Sequence, residues 1–290
     1  MNTNFYQDNK NRGNKRSNNR NNNKNTKNRN NNQNNRNSKN NKNNKLAKVY
    51  QDTLEHIEKN NLYPDKDSIL YDVNDLPEFD KLEPNDNIII EVKNMDTLDM
   101  ACLYIDLGLN PMVLNMASDY KAGGGVRSGR TAQEECLFRR TNASATHPDE
   151  FYPLKFNEVV YSPEVLILKN KNHQYLKHPK PISLISVPAL RKPQLIYKKY
   201  GKMDYDIMTA KIESIFKIAI LNKHDSLVLG ALGCGVFKNP IHEVASIFRT
   251  MINYYGGYFK YIGFAVLTNN DNTDQNFIIL NRTIKTINTK

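Results

Sequence analysis

The feature that most constrains the fold is a pair of glycine-rich loops, each lying between a predicted buried strand and a predicted helix. One loop begins at Gly123 after the apolar run 112–117, and the other begins at Gly233 after the run 227–231. In an α/β sheet, ligands bind at the carboxyl ends of strands. Glycine lets backbone N–H groups approach a phosphate, and the next helix N-terminus favours an anion. Each loop alone could be a tight turn, but together they favour a ligand whose diphosphate lies between them.

Strand and helix patterns alternate along most of the chain. Short β-branched or apolar runs predict strands at residues 87–92, 112–117, 165–168, 182–187, 227–231 and 263–267. Apolar spacing of three and four predicts helices at residues 46–57, 95–107, 132–140, 202–222 and 241–254. This order predicts one α/β catalytic domain over residues 46–290, with a mostly parallel sheet and helices on both faces.

Residues 1–45, called the tail below, have a different composition. The tail contains 12 of the 41 Lys and Arg residues but only one of the 30 acidic residues, so residues 46–290 carry 29 of each and are net neutral. Its 22 Asn residues and scarce apolar residues predict disorder. Nucleic-acid binding is therefore expected of the tail alone, and two interpretations stay open: a tether for RNA or DNA, or a solvated terminus without that role.

Several function classes are disfavoured by what the sequence lacks. Its three cysteines, Cys102, Cys136 and Cys234, form no CxxC pair, and its six histidines lack zinc-ligand spacing, so we expect no disulfide, metal or redox cofactor. The first loop matches neither the dinucleotide-binding nor the Walker pattern. Without a membrane-length apolar run or a secretory signal, the expectation is a soluble intracellular protein, cytoplasmic or nuclear.

A pair of carboxylates follows the first glycine loop at a predicted helix start. Glu134 and Glu135 could simply complement the helix dipole. A carboxyl group close to a bound phosphate would instead have a raised pKa, which is what a general acid near neutral pH requires. The neighbouring glycine-rich loop, a candidate phosphate-binding site, favours the interpretation of the pair as a source of a general acid.

The run 114–141, LNMASDYKAGGGVRSGRTAQEECLFRRT, closely resembles the catalytic motif of microbial poly(ADP-ribose) glycohydrolases, in which GGG is followed by QEE. The resemblance continues through YSPEVLIL (161–168), ISLISVP (182–188) and DSLVLGALGCGVF (225–237). It departs at Ala122, where the family commonly has proline. It implies a macrodomain-like mixed sheet flanked by helices, with an N-terminal helical extension.

The resemblance also implies roles for individual residues. Glu135 would be the catalytic residue, and Glu134 would help to hold the ribose hydroxyls. The implied ligand-binding residues are Asn115, Gly123, Gly124, Gly125, Val126, Gln133, Gly233, Cys234, Gly235, Val236 and Phe237.

The implied reaction is hydrolysis of ribose–ribose bonds in poly(ADP-ribose), without a cofactor, by a monomer acting on the polymer or on ADP-ribosylated protein. Two alternatives stay open. One is a module that binds ADP-ribose without cleaving it, and the other is a hydrolase of single ADP-ribose units on protein or nucleic acid.

Overall fold

The computed structural model describes residues 22–85 and 87–288, with side chains described over residues 40–85 and 87–287. Contacts divide the chain after Asn43, and the compact second unit is Asn44–Lys290. The strands are β1 Ile69–Asp72, β2 Ile89–Lys93, β3 Pro111–Met116, β4 Glu158–Lys169, β5 Tyr175–Val187, β6 Ser226–Leu229 and β7 Tyr261–Ala265. The helices are α1 Asn22–Lys59, α2 Thr97–Asp106, α3 Gln133–Arg140, α4 Lys202–Leu221, α5 Ile241–Tyr255 and α6 Gln275–Lys285.

The strands form one mixed seven-stranded sheet in the order β1-β4-β5-β3-β6-β7-β2. β5, β3, β6, β7 and β2 run parallel, whereas β1 and β4 extend the sheet antiparallel at one edge. The parallel strands therefore end together, and the loops that follow β3, β5 and β6 meet at the same edge of the sheet.

Both faces of the sheet are covered by helices, as alternating side chains on β3 illustrate. Met112 and Leu114 pack in a core with α4, α5 and α6, and Val113 packs on the opposite face with α2 and α3. All three side chains are almost completely buried. Burial on both faces explains why the central strands are continuous apolar runs rather than alternating ones. The macrodomain-like α/β fold with an N-terminal helix is confirmed.

The C-terminal part of α1 packs against the site-bearing half of the domain. The Thr53 hydroxyl donates to the carbonyl of Arg139 at 2.7 Å, and the buried Lys169 ammonium donates to Thr53 at 2.7 Å. Tyr50 and Ile57 are also buried. These contacts connect the helical extension to α3 and β4.

The structure differs from the sequence prediction at two places. The bounds of α1 begin at Asn22, and residues 1–21 of the tail lie outside the described part. β4 is longer than predicted because the chain continues through a bulge at Pro163 and Glu164. β1 and α6 lie in segments that are too short or too polar to predict.

Candidate functional site

The site is built where β3 ends and α3 begins, and Gln133 holds these two elements together. Its side-chain amide donates to the Leu114 carbonyl at 2.7 Å and accepts from the Met116 backbone N–H at 2.9 Å. The first residue of α3 therefore continues the hydrogen bonding of the strand. These hydrogen bonds of Gln133 fix the position of the two carboxylates that follow it.

The first glycine loop wraps around the carboxylates at close range. Gly123 and Gly124 have positive φ angles of 69° and 51°. A methyl group on Gly124 would lie 2.8 Å from a Glu134 oxygen and 3.0 Å from a Glu135 oxygen. Both the backbone angle and the lack of space require glycine at this position.

Glu134 has both carboxyl oxygens bound by backbone. Oε2 accepts from the Ser118 N–H at 2.9 Å, and Oε1 accepts from the Gly123 N–H at 3.2 Å. Burial raises the pKa of this carboxyl to about 8, with a smaller increase from the Glu135 charge, partly offset by hydrogen bonds from Ser118, Asn115 and Gly123. Glu134 is therefore mostly protonated at neutral pH and is held in one orientation.

Glu135 has a different environment, although it is the next residue. Its Oε1 accepts from the Gly125 N–H at 2.9 Å, whereas its Oε2 is buried and has no hydrogen-bond partner. The carboxyl is thus oriented through one oxygen, and its other oxygen makes no hydrogen bond. A buried polar atom without a partner is costly, and such atoms are frequent at functional sites.

A buried polar chain lies behind the carboxylates. Asn115 on β3 and Ser186 on β5 are register partners, and the Asn115 amide donates to Ser186 Oγ at 2.9 Å. Ser186 Oγ lies 2.7 Å from His147 Nε2, and His147 Nδ1 lies 3.0 Å from the Ala143 carbonyl. Burial lowers the pKa of His147 to about 4, so the imidazole is neutral. The carbonyl can only accept, which places the imidazole proton on Nδ1 and makes Nε2 the acceptor for Ser186.

The second glycine loop, after β6, is held by Asn239. The Asn239 side chain donates to the Leu190 carbonyl at 2.7 Å and to the Gly233 carbonyl at 3.1 Å, and it accepts from the Tyr200 hydroxyl at 2.8 Å. Gly233 has a φ of 72° and no space for a side chain, because a methyl group would lie 2.4 Å from Asn239. Gly235, in contrast, faces open space.

The two loops enclose a connected cleft. Its larger part, about 760 Å³, is lined by both carboxylates, by residues 118–121, and by Arg191 and Phe237. A smaller part, about 310 Å³, lies between the second glycine loop and the end of β3. Met116, Ala132, Val236 and Phe237 line both parts.

Arg191, which follows β5, adds a cation to this cleft. Its guanidinium lies 4.3 Å from the centre of the Phe237 ring, pairs with Asp119 and donates to Ser118 Oγ at 3.2 Å. The arginine connects the segment between β3 and the first glycine loop to Phe237 in the second loop.

The structure brings together most of the residues singled out from the sequence, but it places them at different depths. Gly124, Gly125, Glu134, Glu135, Gly233, Gly235, Val236 and Phe237 line the cleft. Asn115 is fully buried behind Glu134, while Gly123 and Val126 shape the loop from beneath. Cys234 is buried, and burial raises the pKa of its thiol to about 12, so it is not a thiolate nucleophile.

Sequence reasoning missed Asn239, Arg191, His147 and Ser186. Arg191 could have been found, because it follows a predicted strand at the ligand-binding edge of the sheet. Ser186 lies in an apolar strand, and nothing in the spacing of His147 indicates that it reaches Ser186.

The described part of the chain contains neither a candidate metal site nor a membrane-spanning helix. No cluster of three or more His, Cys, Asp or Glu side chains there is suited to hold a metal ion. None of the helices described has the length and apolar composition needed to cross a membrane.

Solved structures of similar fold are bacterial poly(ADP-ribose) glycohydrolases. The enzyme from Thermomonospora curvata superposes with a TM-score of 0.65 at 24% identity, covering 76% of this chain and 85% of that chain. The Deinococcus radiodurans enzyme in complex with ADP-ribose gives a TM-score of 0.61 at 27% identity, covering 69% and 86%. The T. curvata enzyme bound to the inhibitor ADP-HPD gives 0.62 at 25% identity, covering 74% and 84%. No curated protein sequence matches the chain.

A family model described as the catalytic domain of microbial-type PARG, the poly(ADP-ribose) glycohydrolases, matches residues 1–170. The matched part contains the first glycine loop and both carboxylates, and it spans more than half of the 290 residues. The chain therefore belongs to the family of microbial-type poly(ADP-ribose) glycohydrolase catalytic domains.

Proposed function

We propose that the protein hydrolyses the ribose–ribose O-glycosidic bonds of poly(ADP-ribose) and releases ADP-ribose, with Glu135 as general acid and then general base. The observation that carries this proposal is the unpartnered Oε2 of Glu135, whose other oxygen is fixed by the Gly125 N–H. A carboxyl held by one oxygen can exchange a proton through the other without losing its orientation.

The steps need only a proton and a water molecule. Glu135 protonates the 2′-oxygen of the leaving ribose as the anomeric carbon acquires oxocarbenium character. A water molecule then attacks that carbon and returns a proton to Glu135, so the carboxyl ends as it began. Ordinary glycosidases divide these roles between two carboxylates. Here Glu134 is less suited to proton exchange, because both of its oxygens accept backbone N–H groups.

The two glycine loops would hold the diphosphate, and Phe237 would contact the ligand beside it. Support comes from the open space at Gly235, which allows a phosphate to approach the backbone, and from the cation of Arg191 in the same cleft. Asn115 would act on the reacting ribose indirectly, since it lies behind Glu134 rather than in the cleft wall.

The test compares substrates that differ only in linkage. Purified full-length protein is incubated with poly-ADP-ribosylated protein, mono-ADP-ribosylated protein and mono-ADP-ribosylated nucleic acid, and free ADP-ribose is quantified. We expect release from the polymer, leaving a single unit on the acceptor protein. Release from the mono-modified substrates alone, or binding of ADP-ribose with no release from any substrate, would refute polymer hydrolysis. It would favour one of the two alternatives instead.

A further inference from the structure

A strained turn projects beside the cleft, at the tip of the segment 191–199, which we call the arm. Ile196 and Lys199 exchange backbone hydrogen bonds of 2.9 and 3.0 Å, and the two residues between them, Tyr197 and Lys198, have φ angles of 50° and 64°. Two positive φ angles in a two-residue turn define the geometry that Asn-Gly or Gly-Gly normally occupies. A bulky residue there is unusual and costs conformational energy.

The strain does not serve packing. The Tyr197 side chain is 96% exposed, and Ile196 next to it is 60% exposed. Because the Tyr197 side chain is exposed, no burial of its ring offsets the cost of the unfavourable backbone conformation. Backbone strain of this kind is more often found where function requires it.

The arm is attached to the ligand-binding loop at both ends. Near its start, the Lys192 N–H donates to the Phe237 carbonyl at 2.7 Å. Just past its end, the buried Tyr200 donates to Asn239, the residue that also holds Leu190 and Gly233. The segments on both sides of the exposed turn are therefore hydrogen-bonded to Phe237 and Asn239, at the end of the second glycine loop.

The charge of this region is positive. The arm contains one arginine, three lysines and no acidic residue, although the domain as a whole is net neutral. Arg191 is paired with Asp119, so the cations that the arm adds to the surface are Lys192, Lys198 and Lys199. An exposed aromatic ring among lysines is the combination that binds single-stranded polynucleotides, by base stacking and by phosphate attraction.

We propose that the arm binds the part of a poly(ADP-ribose) chain that extends beyond the unit in the cleft, with Tyr197 stacking on an adenine and the lysines contacting a diphosphate. The inference rests on the proposed function for the identity of the polymer. Poly(ADP-ribose) fits better than RNA because the arm begins at Arg191, which lines the cleft, and a chain with one unit in the cleft must continue past its rim.

The decisive variant replaces Tyr197 and Lys198 by the residues that this turn prefers, Tyr197→Asn with Lys198→Gly. Relieving the strain should raise the unfolding temperature. Loss of the stacking ring and one cation should weaken binding of long poly(ADP-ribose) about tenfold or more. Binding of free ADP-ribose should be unchanged, because no residue of the cleft is altered. Binding is measured in the Glu135→Gln background so that the polymer is not consumed.

Two controls separate the arm from general effects of charge and strain. Lys223→Gly removes another exposed lysine with positive φ, 58°, at the end of α4 remote from the cleft, and it should stabilise without changing polymer affinity. Tyr197→Phe keeps the ring and should retain wild-type polymer affinity.

Failure of the arm proposal can be distinguished from failure of the proposed hydrolysis. If the wild type releases no ADP-ribose, the function is refuted whatever the arm does. Equal polymer affinity in the wild type and the Asn-Gly variant would overturn the arm proposal and leave hydrolysis intact. Competition by single-stranded RNA at concentrations below those of the polymer would also overturn it, because the arm would then be a nucleic-acid site.

Discussion

At the scale of single residues, the site depends on giving two adjacent carboxylates different surroundings. Glu134 is bound through both oxygens and is neutral near pH 7, whereas Glu135 keeps one oxygen free. The sequence alone identified the pair through its motif. It could not assign their surroundings, because these depend on where Ser118, Gly123 and Gly125 direct their N–H groups.

The raised pKa of Glu134 predicts a pH dependence of stability. Between its usual value of 4.5 and its folded value of about 8, the folded state keeps a proton that the unfolded state releases. The free energy of unfolding should therefore fall as the pH rises through this range. Glu134→Gln removes the titration, so the variant should gain unfolding temperature relative to the wild type at pH 8 but not at pH 4.5. A difference between the two proteins that is the same at both pH values would contradict this.

His147 should be a neutral imidazole with its proton on Nδ1. The Ala143 carbonyl fixes that proton, and Ser186 then donates to Nε2, which makes the Ser186 oxygen an acceptor for Asn115. Long-range proton–nitrogen NMR on histidine-labelled protein should show an Nδ1-protonated ring whose signals disappear in His147→Gln. A proton on Nε2, or titration near 6.5, would disprove the arrangement.

At the scale of elements, the glycine loops could be predicted from the sequence but the residues that hold them could not. A GGG run after a buried strand indicates a sharp turn wherever it occurs. Asn239, by contrast, acts on Leu190 and Tyr200, which are distant in sequence and are brought to it only by the order of β5, β3 and β6. The length of β4 was missed for a related reason, because pairing with β5 extends a strand past a proline that would otherwise suggest its end.

The close fit of the first loop predicts a selective effect of Gly124→Ala. The methyl group would meet both carboxylates, so activity should fall by at least tenfold in addition to a loss of about 1 kcal/mol from the positive φ. Gly108→Ala is the matched control: its φ is 78°, but nothing lies within 4 Å of the added methyl. Both variants should unfold at lower temperature, measured by circular dichroism, and only Gly124→Ala should lose activity. Full activity in Gly124→Ala would contradict the described packing.

At the scale of the whole molecule, we propose that catalysis belongs to residues 46–290 and that the basic tail is an accessory. The compact unit begins at Asn44, and nearly all of the net charge of +11 lies before it. A chain starting at residue 44 should unfold cooperatively at the temperature of the full chain and release ADP-ribose at the same rate. It should show a weaker salt dependence of polymer binding, because fewer lysines and arginines displace counterions. Loss of cooperative unfolding would show that the domain requires the tail.

In the proposed reaction one carboxyl, Glu135, exchanges the proton in the cleavage of poly(ADP-ribose). The most direct measurement is the initial rate of ADP-ribose release from poly-ADP-ribosylated protein by the wild type and by Glu135→Gln, with ADP-ribose affinity measured for both by calorimetry. We expect a rate lower by about 10²-fold or more in Glu135→Gln with the affinity retained. A Glu135→Gln protein that binds ADP-ribose and still cleaves the polymer at the wild-type rate would contradict it.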